Sequence, residues 1–186
     1  MSFLQGTANL VRSSVLPPGA TITLAHRMLS DHEFIIRCDP VLDKYESLPP
    51  VSPPDIPDEM KSRVRIDINS LPAIAYKVTD IVHAIPAGIW DTNVVSTFEF
   101  TDIDTGLFVR VRSPMGIVID TIWEVRKVEE GQEEQLELVE NVTVRCSRFL
   151  VGMVKNQCES GWKQMHGKLI ERLKGDVESD KGSGVA

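Results

Sequence analysis

The sequence lacks most of the signatures that announce an enzyme. It has no GxGxxG turn and no Walker loop, so no glycine-rich cradle for a cofactor's phosphates is present. It has no HExxH, and its four histidines, His26, His32, His83 and His166, have no spacing that suggests a zinc site. No GxSxG nucleophile elbow supports a hydrolase triad. Basic residues are outnumbered, 20 Lys and Arg against 27 Asp and Glu, for a net charge of -7. Such a chain is a poor match for nucleic acid. No apolar run approaches the roughly 20 residues that span a bilayer. The opening "MSFLQGTANLVRSS" has no continuous apolar stretch of the signal-peptide kind. Cysteine is scarce: Cys38, Cys146 and Cys158 form no CxxC and leave an odd count. The expectation is reduced thiols in a cytoplasmic protein, with no cofactor and no metal. "NVT" at Asn141 matches a glycosylation sequon, read as chance without a secretion signal.

What is present suffices for one core. The chain has 186 residues, 42% hydrophobic and 25% charged, as in ordinary globular domains. "ATITLAHRM" alternates and is β-branched, which predicts a first strand and makes residues 1–19 an N-terminal extension. "SDHE", Ser30 to Glu33, has the form of a capping box and predicts a short helix to about Cys38. Asp39-Pro40 reads as a fresh N-cap with proline at the first helical position, opening a second short helix to about Ser47. The proline-rich stretch 48–62 is expected to be a loop, poorly ordered and near one end of the sheet, where it gates entry.

From "AIAYKVTDIVHAI" onward the pattern is that of strands with short turns: "DIDTG", "PMG" and "EEGQEE". That predicts an antiparallel meander. One face carries Val94, Ser96, Phe98 and Phe100, then Leu107, Val109 and Val111, then Ile117 through Val125 in alternation. The other face carries Glu99, Arg110, Arg112, Asp120 and Glu124, expected as solvated cross-strand pairs. Val151, Val154, Cys158, Trp162, Met165, Leu169 and Leu173 then recur on one helical stripe. Residues 175–186 are polar and are expected to fray.

Strand, two short helices, meander and long last helix is the element order of the helix-grip fold. The chain resembles members of the START-related, birch-pollen-allergen-like superfamily (SRPBCC) over residues 20–174. "VTDIVHAIPAGIWDTNVVSTFEFT", "GLFVRVRSPMGIVIDTIWEV" and "SRFLVGMVKNQCESGWKQMHGKLIERL" are similar to a filamentous-fungal group within it. No catalytic motif comes with that group, so no site residue carries over. The resemblance implies an α+β fold, a curved antiparallel sheet gripping the last helix around an apolar cavity. It implies as ligand a lipid, steroid or polyketide, or a reaction of cyclisation, aromatisation or condensation on one.

The candidate chemical groups are polar residues on inward faces. Period-two counting places His26 with Ile22, Leu24 and Met28, Asp80 with Tyr76, Val78 and Val82, and Glu140 between Leu138 and Val142. A carboxyl in an apolar cavity has its ionised form disfavoured, which raises its pKa toward general acid-base use. One β-bulge reverses the phase and returns either carboxyl to water. Tyr76 either donates to a ligand carbonyl or packs. His166 either points into the cavity or covers the sheet edge. Phe98, Trp123, Trp162 and Met165 offer ligand-binding surface, or simply core. Three functions compete: a cofactor-independent cyclase or isomerase for a polyketide- or terpenoid-like metabolite; a lipid or sterol carrier; and a scaffold that binds partners through its proline-rich loop. Oligomeric state is open.

Overall fold

The computed structural model describes residues 4–63, 72–83, 91–130 and 133–183. A seven-stranded antiparallel sheet is wrapped around a long helix. Chain order is β1 (Gln5–Val15), α1 (Ile22–Leu29), α2 (His32–Cys38), β2 (Leu42–Val51), α3 (Asp58–Lys61), β3 (Ala73–His83), β4 (Asp91–Ile103), β5 (Gly106–Ser113), β6 (Ile117–Glu130), β7 (Glu133–Ser147) and α4 (Val151–Ser183). The spatial order is β1-β7-β6-β5-β4-β3-β2. The five-strand meander is therefore the sheet's interior, and the two N-terminal strands are its edges. The helix-grip α+β class expected from the pattern is the observed one. The expected strand end at Ala84 and Ile85, and the β6–β7 turn at 131–132, lie outside the described residues.

The N-terminal third differs from expectation in four places, each for a local reason. Residues 5–15 are an edge strand, paired with β7 from Gln5↔Ser147 to Val15↔Glu137. Its inward residues Leu10 and Arg12 are buried, as is Leu16 just after it, while Val11 and Val15 are exposed. "ATITLAHRM" is a helix. Leu24 and Met28 fit both periods, but Ala25 and Leu29 are buried as well, which only a helical stripe allows. Thr21 caps α1 by accepting the Leu24 N–H at 3.1 Å. Ser30 ends α1, and Asp31 caps α2 by accepting the Phe34 N–H at 3.1 Å, so the cap lies one residue after the expected one. Asp39 opens no helix. Its Oδ1 accepts the Val41 N–H at 3.0 Å, an Asx turn that feeds β2, an edge strand able to hold Pro49 and Pro50 at its end.

The proline-rich segment is not a gate at the cavity. It crosses the outer face of the sheet. Ile56 and Met60 are buried against Ile103 and Phe108, with Ile122 beside them. Asp55 pairs with Arg110 at 2.8 Å and with Arg112, and Arg63 pairs with Glu124. The outer charges do form cross-strand pairs, with Arg110 facing Asp120 in register. Glu99, Arg110, Asp120 and Glu124 are buried, however, rather than solvated, while Arg112 stays partly exposed. Residues 175–183 continue α4 instead of fraying, because Val177 packs into the main core.

The β4–β5 hairpin turns through Asp104 and Thr105 and needs its glycine. Gly106 sits at φ +155, and a Cβ there would stand 2.1 Å from the Trp123 carbonyl oxygen. Gly106→Ala is expected to cost about 3 kcal/mol through backbone strain and clash. Urea denaturation checks this; a loss below about 1 kcal/mol would show that the strand shifts freely.

α4 runs about 50 Å at 1.5 Å per residue and does two jobs. Its C-terminal half sends Leu169, Leu173 and Val177 into the main core with Leu24, Ala25 and Met28. Its N-terminal half passes over the concave face and roofs a cavity there.

Candidate functional site

That cavity has a volume of about 340 Å³, within the range of small-molecule sites. Its floor is the inner face of the meander in the phase the alternation predicts. Ser96, Phe98 and Phe100 come from β4, Val109 and Val111 from β5, Ile119, Thr121 and Trp123 from β6, and Glu140 and Val142 from β7. The roof is Met153, Val154, Gln157, Cys158, Trp162 and Met165 of α4. Ile35 and Ile36 of α2, with Asp39, Pro40 and Val41 behind them, close the side. Pro40 lies so near Gly161 that a Cβ on that glycine would stand 2.7 Å from the proline ring. A small residue is what lets the helix approach this corner.

The wall is mostly apolar, with polar groups at two places. The first is around Asp80 on β3. Its carboxyl is 9% exposed, and Oδ1 finds no hydrogen-bond partner among the described residues. Burial away from water, helped by the charge of Asp39, pushes it up to about 7 from an ordinary 3.8. Burial likewise raises the Asp39 carboxyl, against the pull of the Val41 amide and of Lys168. Ser96 and Ser113, also in the wall, stand 2.6 Å apart, hydroxyl to hydroxyl. One of these O–H groups is consumed by the other, and the second is left to donate elsewhere.

The second place is around Glu140 on β7, whose register partner on β1 is Arg12. Arg12 donates to Glu140 Oε2 at 2.8 Å and to the Cys158 carbonyl at 2.6 Å. Its guanidinium lies 5.8 Å from the Trp162 ring centroid. His166, 2% exposed, sits behind the wall between Trp123 and Trp162, each ring 5.2 Å away. Its Nδ1 is 2.8 Å from Ser14 Oγ, and its Nε2 is 3.5 Å from Glu140 Oε2 without hydrogen-bond geometry.

The expected site residues thus divide. Asp80, Glu140, Phe98, Trp123, Trp162 and Met165 share the cavity wall. His166 stands one layer behind it. His26 lies on α1, half-buried and away from the wall, because the strand that would have aimed it inward is a helix. Tyr76 is inward but packed in the core, edge-on to Phe100 at 5.7 Å and to Tyr45 at 6.1 Å. Its hydroxyl is held above its usual range by burial. Arg12 and Asp39 escaped the sequence reading. The alternation Ala8, Leu10, Arg12, Ser14, Leu16 was the signal for the first; nothing local distinguished the second from a helix cap. Cys158 is in the roof, but burial pushes its thiol up to about 11, which makes it a poor nucleophile at neutral pH. Among the described residues no group of three His, Cys, Asp or Glu could hold a metal, and no helix is long and apolar enough to cross a membrane.

Solved structures with this architecture include a START superfamily protein from Mycobacterium smegmatis, TM-score 0.57 at 11% identity, covering 91% of this chain and 99% of that one. Norcoclaurine synthase from Thalictrum flavum, in complex with a transition-state analogue, gives TM-score 0.57 at 11% identity, over 92% and 97% of the two chains. An aromatase/cyclase from a Streptomyces species gives 0.51 at 11%, over 93% and 94%. At such identities the likeness is one of fold. Comparison with curated proteins gives no match. Residues 5–175 match the family model described as a domain of unknown function, DUF7053; the chain belongs to that family and has the START-like helix-grip fold.

Proposed function

We propose that the protein is a cofactor-independent isomerase or cyclase acting on an apolar, oxygenated metabolite of polyketide or terpenoid kind held in the α4-roofed cavity, in the cytoplasm, and that its kin are the filamentous-fungal group it resembles. The observation that carries this is Asp80: a buried carboxyl, with one oxygen unpartnered among the described residues, in a mostly apolar wall. A carrier of hydrocarbon gains nothing from such a group, since burying an unpaired carboxyl costs stability. A proton-transfer catalyst needs one, with a pKa near the working pH. Two solved structures of this fold are a synthase bound to a transition-state analogue and an aromatase/cyclase, so the architecture is compatible with chemistry of this class.

The chemistry needs few parts. The Asp80 carboxylate takes a proton from a carbon next to a ketone. The C–H electron pair moves into a C=C bond and the carbonyl pair onto oxygen, where the free hydroxyl of the Ser96–Ser113 pair donates to it. The enolate then takes that proton back from Asp80 at a distant carbon, which is isomerisation, or attacks a second carbonyl in the same molecule, whose alkoxide takes the proton from Asp80, which is cyclisation. The apolar cavity strengthens each of these interactions by excluding water.

Conversion of an apolar β,γ-unsaturated ketone to its conjugated isomer, followed by absorbance, tests the reading. Asp80 acts as base in its ionised form, so the rate should rise with pH, bend near 7 and level off above. Tight binding of the ketone with no turnover at any pH would instead make the protein a lipid or sterol carrier.

A further inference from the structure

We infer that the ligand is an elongated apolar molecule oxygenated at both ends, whose far end bears a hydroxyl seated on the Arg12–Glu140 pair, with Arg12 as the specificity-determining residue. This rests on the reading of the cavity as a small-molecule site and goes beyond it by assigning the end opposite Asp80.

Three observations carry it. The first is placement. Asp80 is on β3 and Glu140 on β7, with β4, β5 and β6 between them, yet both border one cavity. Cys158, whose carbonyl accepts from Arg12, lines the same cavity as Asp80, so the two polar groups flank a shared space. The second is unused donor capacity. A guanidinium carries five N–H donors. Among the described residues Arg12 spends two of them, on Glu140 and on the Cys158 carbonyl. Those of the rest that face the cavity would lose water to a pure hydrocarbon filling it and be left unpaired, at a cost. The third is complementarity. Arg12 presents N–H donors beside a Glu140 carboxylate that accepts, under the Trp162 ring. A hydroxyl both accepts and donates, so it satisfies both partners at once. A carboxylate would be drawn by Arg12 but repelled by Glu140, and an ammonium the reverse.

A matched pair of probes tests this: a hydroxynaphthyl ethyl ketone with its hydroxyl at the end remote from the ketone, and the same ketone without the hydroxyl. Binding is read from quenching of tryptophan fluorescence. The native chain should bind the hydroxylated probe at least tenfold more tightly than its parent, since sites built to bond a hydroxyl reject analogues lacking it. The Arg12→Met/Glu140→Gln pair removes the ion pair without stranding a buried charge. It should bring the two affinities within twofold of each other. Arg12→Lys, which keeps the charge but loses the planar fork, should fall between. Equal affinities in the native chain, or discrimination that survives in the folded double variant, would overturn the assignment. Discrimination lost in the double variant, with turnover unaffected by Asp80→Asn, would uphold this inference and sink the acid-base one, so the two fail separately.

Discussion

Asp80→Asn is expected to abolish proton transfer and stabilise the protein at the same time. The isosteric amide keeps the cavity's shape and removes the titrating group. General acid-base assistance amounts to about 10²–10⁴ in rate, or roughly 3–5 kcal/mol in the barrier, and that is the loss expected in the isomerisation assay. Stability should move the other way, and in a defined pH window. Asp80 is raised from 3.8 to about 7 in the folded chain. Between those values the folded state binds more protons than the unfolded one, so stability falls as pH rises. Below about 4 there is no penalty; above about 7 the whole of it is present. The displacement sets an upper bound of about 4 kcal/mol at 1.36 kcal/mol per tenfold. Water reaching the carboxyl through the cavity reduces this, and a gain of about 1–2 kcal/mol is expected for the variant at pH 8. For a chain of this length that is on the order of 2–8 °C in melting temperature. Melting curves at pH 4 and pH 8 make the check. A variant no more stable than the parent at pH 8 would mean that the carboxyl is already paired or hydrated. A variant within tenfold of the parent's rate would mean that Asp80 is not the base.

Arg110→Met should be among the most damaging single changes, although it lies on the face away from the cavity. Arg110 is 6% exposed and donates to both oxygens of Asp120, at 2.7 and 2.8 Å, and is paired with Asp55 at 2.8 Å. Those bonds, Asp120's above all, hold the guanidinium's pKa well above its usual value. Removing the cation leaves Asp120 buried with only the more exposed Arg145, at 2.5 Å. Breaking one side of a buried ion pair costs about 3–5 kcal/mol. Arg110→Met/Asp120→Leu removes both charges and should recover most of that loss, because the desolvation penalty disappears with the pair. Asp55→Ala touches an exposed partner and should cost no more than about 1 kcal/mol. Urea denaturation of the three variants would rank them. An Arg110→Met chain as stable as the parent would show that the strap region is held by Ile56 and Met60 alone.

The sequence by itself determined the meander, its phase and the helix stripe. Period-two alternation over strands of eight to fifteen residues leaves one way to bury Phe98, Phe100, Trp123 and Leu138 together, and a slip of one residue would expose all four. The cavity's floor and roof, with Asp80, Glu140, Trp123 and Trp162 in its wall, therefore followed from local pattern. The N-terminal third did not. In a segment as short as Ile22–Leu29 the two periods share positions, and the decision fell to packing of Ala25 and Leu29 against α4. β1 and β2 are edge strands, with one neighbour each; β2 tolerates Pro49 and Pro50 because only half of its backbone must be paired. Asp39 and Arg12 reach the wall through tertiary structure alone, one by a turn after α2 and the other by register with Glu140. The proline-rich segment had no periodicity to read. It lies on the outer face because Ile56 and Met60 pack there against Ile103 and Phe108, and Asp55 and Arg63 meet the buried Arg110 and Glu124, on strands about fifty to sixty residues away, and no local pattern encodes a pairing at that separation.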